Sequence, residues 1–151
     1  MPKKFAQGKF VPKNPEKYIG VGDINARSSW EFTMMRFLDE NENVIYWASE
    51  SIRIPYMNPF TRKQTIYVPD FFIVYVDKHG KQHSELIEVK PLNQTVQEMA
   101  NKSKHNKAHW ILNQAKWNAA QEFCKKRQIK FRVITENDIY LQMPKQKGRK
   151  R

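Results

Sequence analysis

Two carboxylates and an amine, Asp70, Glu88 and Lys90, are the residues of this 151-residue chain whose types and spacing suggest chemistry. They stand in one stretch, residues 68–90, which reads VPDFFIVYVDKHGKQHSELIEVK. Its two apolar runs, 71–76 and 86–89, are joined by Asp77-Lys78-His79-Gly80-Lys81. Asp followed three residues later by Gly marks a type I turn, with Gly80 free to take the left-handed conformation. A three-residue loop, Lys78-His79-Gly80, then pairs Asp77 with Lys81. Counted back, that register sets Asp70 opposite Glu88, and Lys90 projects from the same face. A slip of one residue would send Asp70 to the other face. Pro69 suits the first position of a strand, where no ladder donor is needed, and leaves Asp70 at the strand's mouth. Facing carboxylates repel unless a cation lies between them. That cation is either Lys90 itself or a divalent metal. Oxygen ligands with no histidine or thiol nearby favour magnesium or manganese over zinc. The plainer alternative is a turn-ending aspartate beside a Glu88–Lys90 surface pair that binds nothing.

The elements that must position these residues follow from the flanking pattern. Ser28-Ser29-Trp30-Glu31 is a capping box that starts a helix, with Trp30, Met34, Phe37 and Leu38 as its buried face. Glu31 therefore has two readings at this level, a cap or an acidic group aimed at the site. Residues 44–48 and 52–56 read as strands, 56–64 as a loop or hairpin tip, and then come the Asp70 and Glu88 strands. Residues 96–103 suit a short helix and 105–127 a long one, with Ala108, Ile111, Leu112, Ala115, Ala119 and Phe123 as an apolar stripe. The opposite side of that helix carries Lys104, Lys107, Gln114, Lys116, Asn118, Lys125 and Arg127. Lys130–Ile134 is a last strand, and Thr135-Glu136-Asn137-Asp138 reads as a cap for a final helical turn. The pairs His79/His83 and His105/His109 are four apart. The first straddles the hairpin turn and the second has no cysteine partner, so neither is read as a zinc site.

The balance of 27 basic against 15 acidic residues, net +12, points to a polyanionic partner, nucleic acid before an anionic membrane. No apolar run approaches the ~20 residues of a membrane span, so a soluble protein is expected. Cys124 is the single cysteine, which excludes an internal disulfide and a multi-cysteine zinc site. Residues 1–27, with Pro2, Pro12, Pro15, Gly8, Gly20 and Gly22, read as a basic extended arm, tethered by Phe5, Phe10 and Tyr18. Residues 28–143 form the domain. Residues 144–151, PKQKGRKR, form a disordered basic tail suited to phosphates.

Pro69-Asp70 and Glu88-Val89-Lys90, a helix-borne Glu31 upstream and a basic helix downstream together resemble the PD-(D/E)XK nuclease superfamily, over residues 28–135. Within it, Val133-Ile134-Thr135-Glu136 after a lysine-bearing helix is similar to the endonuclease subunits of cut-and-paste bacterial transposons. That subgroup often has Gln where this chain keeps Glu88. With both tails included, the chain resembles the head completion proteins of T-even-type bacteriophages. The resemblance implies an α/β fold of order α-β-β-β-α-β, with a central mixed sheet flanked by helices. It also implies magnesium- or manganese-dependent cleavage of double-stranded DNA, trimming packaged DNA ends, with portal or neck proteins as partners. The implied location is the host cytoplasm during assembly, with retention in the virion open. Asp70 and Glu88 become metal ligands, joined by the Val89 carbonyl and by Glu31, while Lys90 acts electrostatically. Lys104, Lys107, Lys116, Arg149, Lys150 and Arg151 become DNA contacts, with no ordered element to read bases. Gln114 or Lys116 matches the superfamily's auxiliary helix position loosely. Two alternatives from other classes are a non-catalytic DNA-binding assembly protein that keeps the nuclease fold, and an RNA-binding basic protein. The second lacks an RNP-like aromatic motif or a repeat.

Overall fold

The computed structural model of the protein describes residues 8–90, 104–135 and 138. Helix α1, Ser29–Glu40, begins where the capping box places it. Ser28 is extended at the N-cap, and its Oγ accepts the Glu31 N–H at 3.1 Å. Met34, Met35 and Leu38 are buried, while Trp30 and Phe37 only flank the core, so the apolar stripe includes Met35, which the sequence reading omitted. Asn41 ends the helix, its N–H bonded to the Phe37 carbonyl, and Asn41 Oδ1 then accepts the Asn43 N–H at 2.8 Å.

Four strands form the central sheet in the order β3-β6-β7-β8: Val44–Ser49, Phe71–Val76, Gln82–Val89 and Lys130–Ile134. The first two pairings are antiparallel and β7–β8 is parallel, so the sheet is mixed, with α1 on one face and the long helix α2, Lys104–Lys126, on the other. The α2 face is set by Ala120 and Cys124, with Leu112, Ala115, Trp117, Ala119 and Phe123 partly buried; Ile111, expected in the stripe, is exposed. Gln128 takes φ 59° after the helix. The Ile129 N–H bonds the Cys124 carbonyl and the Gln128 N–H the Lys125 carbonyl, a Schellman stop that swings the chain into β8. The order α-β-β-β-α-β holds for the central sheet with one change. The strand expected at 52–56 is β4, Ile54–Met57, and it pairs with β5, Gln64–Tyr67, in a separate hairpin packed against α2.

Residues 8–27 are not the unpacked arm that their prolines and glycines suggest. Strand β1, Gly8–Phe10, pairs with β2, Ile24–Ala26, and Phe10, Ile24 and Ala26 are buried in the core under α1. Alternation at 24 and 26 supplies an inward face, and burying side chains of that size is worth ~1.5–3 kcal/mol for each large one. The segment is anchored further by the buried Asp39, whose carboxylate accepts the Lys13 and Asn14 N–H groups at 2.9 Å each. Phe10 and Tyr18 tether it as expected, edge-on to Trp47. Phe5 lies outside the described residues.

Candidate active site

The β6–β7 hairpin closes as its turn residues require. Gly80 has φ +79°, its N–H bonds the Asp77 carbonyl, and the Asp77 N–H bonds the Lys81 carbonyl. Phe71 pairs with Ile87 and Val76 with Gln82; the same register continued by one residue sets Asp70 against Glu88. Asp70 stands just before β6, beside the buried Pro69. Its Oδ2 accepts the Val89 N–H at 2.7 Å, so Val89 meets Asp70 through its amide. Glu88 accepts the Tyr67 hydroxyl at 2.9 Å on Oε1, and the charges of Lys116 and Lys90 both bear on it. Lys90 directly follows β7, its N–H bonded to the Ile134 carbonyl at 2.8 Å.

Glu31 caps the helix and also lies beside the carboxylate pair. Its own N–H is taken by Ser28 Oγ, and its Oε1 accepts the Arg27 N–H at 2.8 Å, one residue earlier than a standard capping box. It is also a buried carboxylate on the edge of the site, close enough to Asp70 to raise that group's pKa. The link is Arg27, whose Nη2 lies 3.7 Å from Glu31 Oε2 and 3.8 Å from Asp70 Oδ1, and contacts Glu50 Oε2 more closely.

Glu50, Arg27 and Tyr67 were missed by sequence reasoning. Glu50 sits at φ 49°, a left-handed turn after β3, and its N–H bonds the Asp70 carbonyl at 2.9 Å. The signal was the β3–β6 pairing: Ser49 faces Phe71, so the next residue must come beside Asp70. Tyr67 closes the β4–β5 hairpin opposite Ile54 and lies three residues before Asp70. Of the residues expected to touch DNA, Lys107 is exposed, but Lys116 is half-buried, its Nζ 5.7 Å from the Tyr67 ring centroid, so it belongs to the site's wall rather than to an open surface. Lys104 opens α2, while Arg149, Lys150 and Arg151 lie outside the described residues. His83 bonds Asp77 at 2.7 Å, across the hairpin turn.

Electrostatics mark the cluster. Burial, then the neighbouring Glu88, push Asp70 up to about 8 against the pull of the Val89 N–H and Arg27. Burial also raises Glu88, opposed by the Tyr67 hydrogen bond, Lys116 and Lys90. Burial and the Glu88 charge raise Tyr67, which stays a donor. Among the described residues, no three carboxylate, imidazole or thiol groups converge into a ready-made metal cage. The donor set nevertheless fits a hard divalent cation. It consists of partly buried carboxylate oxygens at a strand mouth, whose unfavourable ionisation such a charge would relieve. No described helix is long and apolar enough to cross a membrane.

Residues 41–136 match the family described as TnsA-like endonuclease N terminal. That stretch contains Asp70, Glu88 and Lys90 but begins after α1, so Glu31 and Arg27 lie outside it. A head completion nuclease of Enterobacteria phage T4 is 37% identical over 142 residues, 87% of this chain and 92% of the phage protein. With the α-β-β-β-α-β order, the paired carboxylates and the family match in agreement, the chain belongs to the TnsA-like endonucleases.

Proposed function

We propose that Asp70, Glu88, Lys90 and Glu31 form the active site of a divalent-metal-dependent nuclease acting on double-stranded DNA. Membership of an endonuclease family makes the chain a DNA-hydrolysing enzyme. The observation that carries the site is the hairpin register, which sets Asp70 and Glu88 face to face and partly buried at the end of the sheet, where desolvation raises both and the Glu88 charge raises Asp70 further.

Asp70 and Glu88 would hold the ion, with the Val89 carbonyl and Glu31 completing its shell, Glu31 directly or through water. A bound magnesium or manganese ion supplies positive charge at the scissile phosphate and activates the attacking water. The chain's own groups do the rest. The Val89 N–H fixes Asp70 Oδ2, so Oδ1 is the oxygen left toward Arg27 and the opening of the site. The Tyr67 hydroxyl fixes one oxygen of Glu88. Lys90, beside Glu88, orients water and balances the charge that grows on the phosphoryl oxygens. The T4 relative's name supports a nuclease of phage head completion; our reading adds trimming of packaged DNA ends in the host cytoplasm, in company with portal or neck proteins.

Plasmid DNA incubated with purified protein tests the reading. Cleavage with magnesium or manganese, abolished by chelator and by Asp70→Asn, is expected. Binding without cleavage under every divalent ion tried would leave a DNA-binding assembly protein on a nuclease fold.

A further inference from the structure

The β4–β5 hairpin has no place in the central sheet, yet it is built with care. Its inner residues Ile54, Tyr56 and Tyr67 pack against Leu86, Ala120 and Cys124, which roots it beside the site. Its outer residues Pro55, Met57 and Ile66 face solvent, and Phe60 at the tip is 54% exposed. The tip is rigid. Asn58 closes it with bonds from its N–H to the Lys63 carbonyl and from the Arg62 N–H to its own carbonyl. Asn58 Oδ1 also accepts the Phe60 and Thr61 N–H groups, and Thr61 Oγ1 accepts that of Lys63. Arg62 is held at φ 62°. Three exposed basic residues, Arg53, Arg62 and Lys63, lie in residues 51–69, which contain no acidic residue.

We infer that this hairpin is a DNA-gripping ribbon: Arg62 and Lys63 hold phosphates beside the scissile bond while Phe60 enters the base stack. The inference rests on the proposed nuclease reading and deepens it by naming the surface that holds the duplex. Charge complementarity selects the partner, because a basic, acid-free face suits a polyanion. Continuity with the site places it, because Tyr67 at the ribbon's root bonds Glu88 and Asp70 follows three residues later. A two-stranded ribbon fits a DNA groove, and an exposed apolar tip on a rigid turn is the form of a wedge that unstacks one base step. Unstacking explains why the large apolar side chain is presented rather than buried.

The test uses the full chain in chelator, so that no cleavage is needed, and a duplex carrying 2-aminopurine. Arg62→Gln/Lys63→Gln should bind several-fold more weakly, with a log–log salt slope smaller by close to two, at about 0.9 per lost phosphate contact. Phe60→Ala should keep the slope, bind about tenfold more weakly and lose the fluorescence rise that unstacking gives the wild type. All these residues are exposed, so melting temperatures should match the wild type. Unchanged affinity and slope in the double variant overturn the ribbon, and a fluorescence rise retained by Phe60→Ala overturns the wedge. Unchanged DNA binding with wild-type self-association that Phe60→Ala abolishes would reassign the face to a contact between copies. A wild type that binds as predicted but never cleaves with metal counts against the nuclease reading alone.

Discussion

Replacing Asp70 by Asn should make the metal-free protein more resistant to alkaline pH while destroying its activity. Burial and Glu88 raise the Asp70 carboxyl from its ordinary 3.8 to about 8. Between those values the unfolded chain has released a proton that the folded chain still holds. Stability therefore falls as pH rises through this window, by at most ~1.4 kcal/mol per unit. From about pH 6 to about pH 8 the slope flattens as the folded group itself titrates, and the loss is roughly 2 kcal/mol. Asn cannot ionise, and its amide oxygen can still accept the Val89 N–H. Urea unfolding of both proteins in chelator, at the two pH values, measures the difference directly. The variant should gain roughly 2 kcal/mol on the wild type between them, and saturating magnesium should erase most of that gain. Parallel pH dependences for the two proteins would refute the reasoning, because Asp70 would then ionise in the folded chain as freely as in the unfolded one.

Glu31→Gln keeps an acceptor for the Arg27 N–H but loses the charge, so cleavage should fall by more than tenfold with little change in stability. Ser28→Ala should do the reverse, removing ~1 kcal/mol of stability with activity per folded molecule intact. Lys90→Ala should leave manganese affinity, read by calorimetry, near wild type and lower the cleavage rate by about 10–100-fold. Arg27→Met removes the cation that contacts Glu31, Glu50 and Asp70, so manganese should bind about tenfold tighter, a modest gain because the guanidinium is largely exposed. Deleting residues 144–151, which carry five basic side chains, should flatten the salt slope of DNA binding by up to about 4.5.

What could be read from the sequence was local. The Asp77-to-Gly80 spacing determines one turn, the turn determines the register, and the register determines which carboxylates face each other. The capping box places the start of α1 for the same reason: its bonds span three or four residues. Glu50 and Tyr67 were illegible because their positions depend on pairing between strands far apart in the chain, and Glu50 also needs a left-handed residue that its neighbours do not announce. Lys116, read both as a DNA contact and as an auxiliary helix position, lies beside Tyr67 with its charge bearing on Glu88, because helical periodicity cannot tell a solvated flank from one roofed by a hairpin. At the N-terminus, prolines and glycines outweighed a two-residue alternation at Ile24 and Ala26, although Asp39 waits twenty-five residues away to hold the chain down.

That anchor also sets how the protein opens. Asp39 has its two carboxylate oxygens occupied by the Lys13 and Asn14 amides and its carbonyl by the Asn14 and Lys17 side chains. Detaching residues 8–27 would strand a buried charge and bare Phe10, Ile24 and Ala26 in one event, so this segment cannot fray residue by residue. It should exchange its amide protons with α1 as a single cooperative unit, slowly, despite a composition typical of fast-exchanging loops. Arg27 and Glu31 follow directly from that unit. The upstream half of the proposed site is therefore present only while the N-terminal segment is closed, and a protease or a binding partner that pulled it away should disarm the proposed centre without touching Asp70, Glu88 or Lys90.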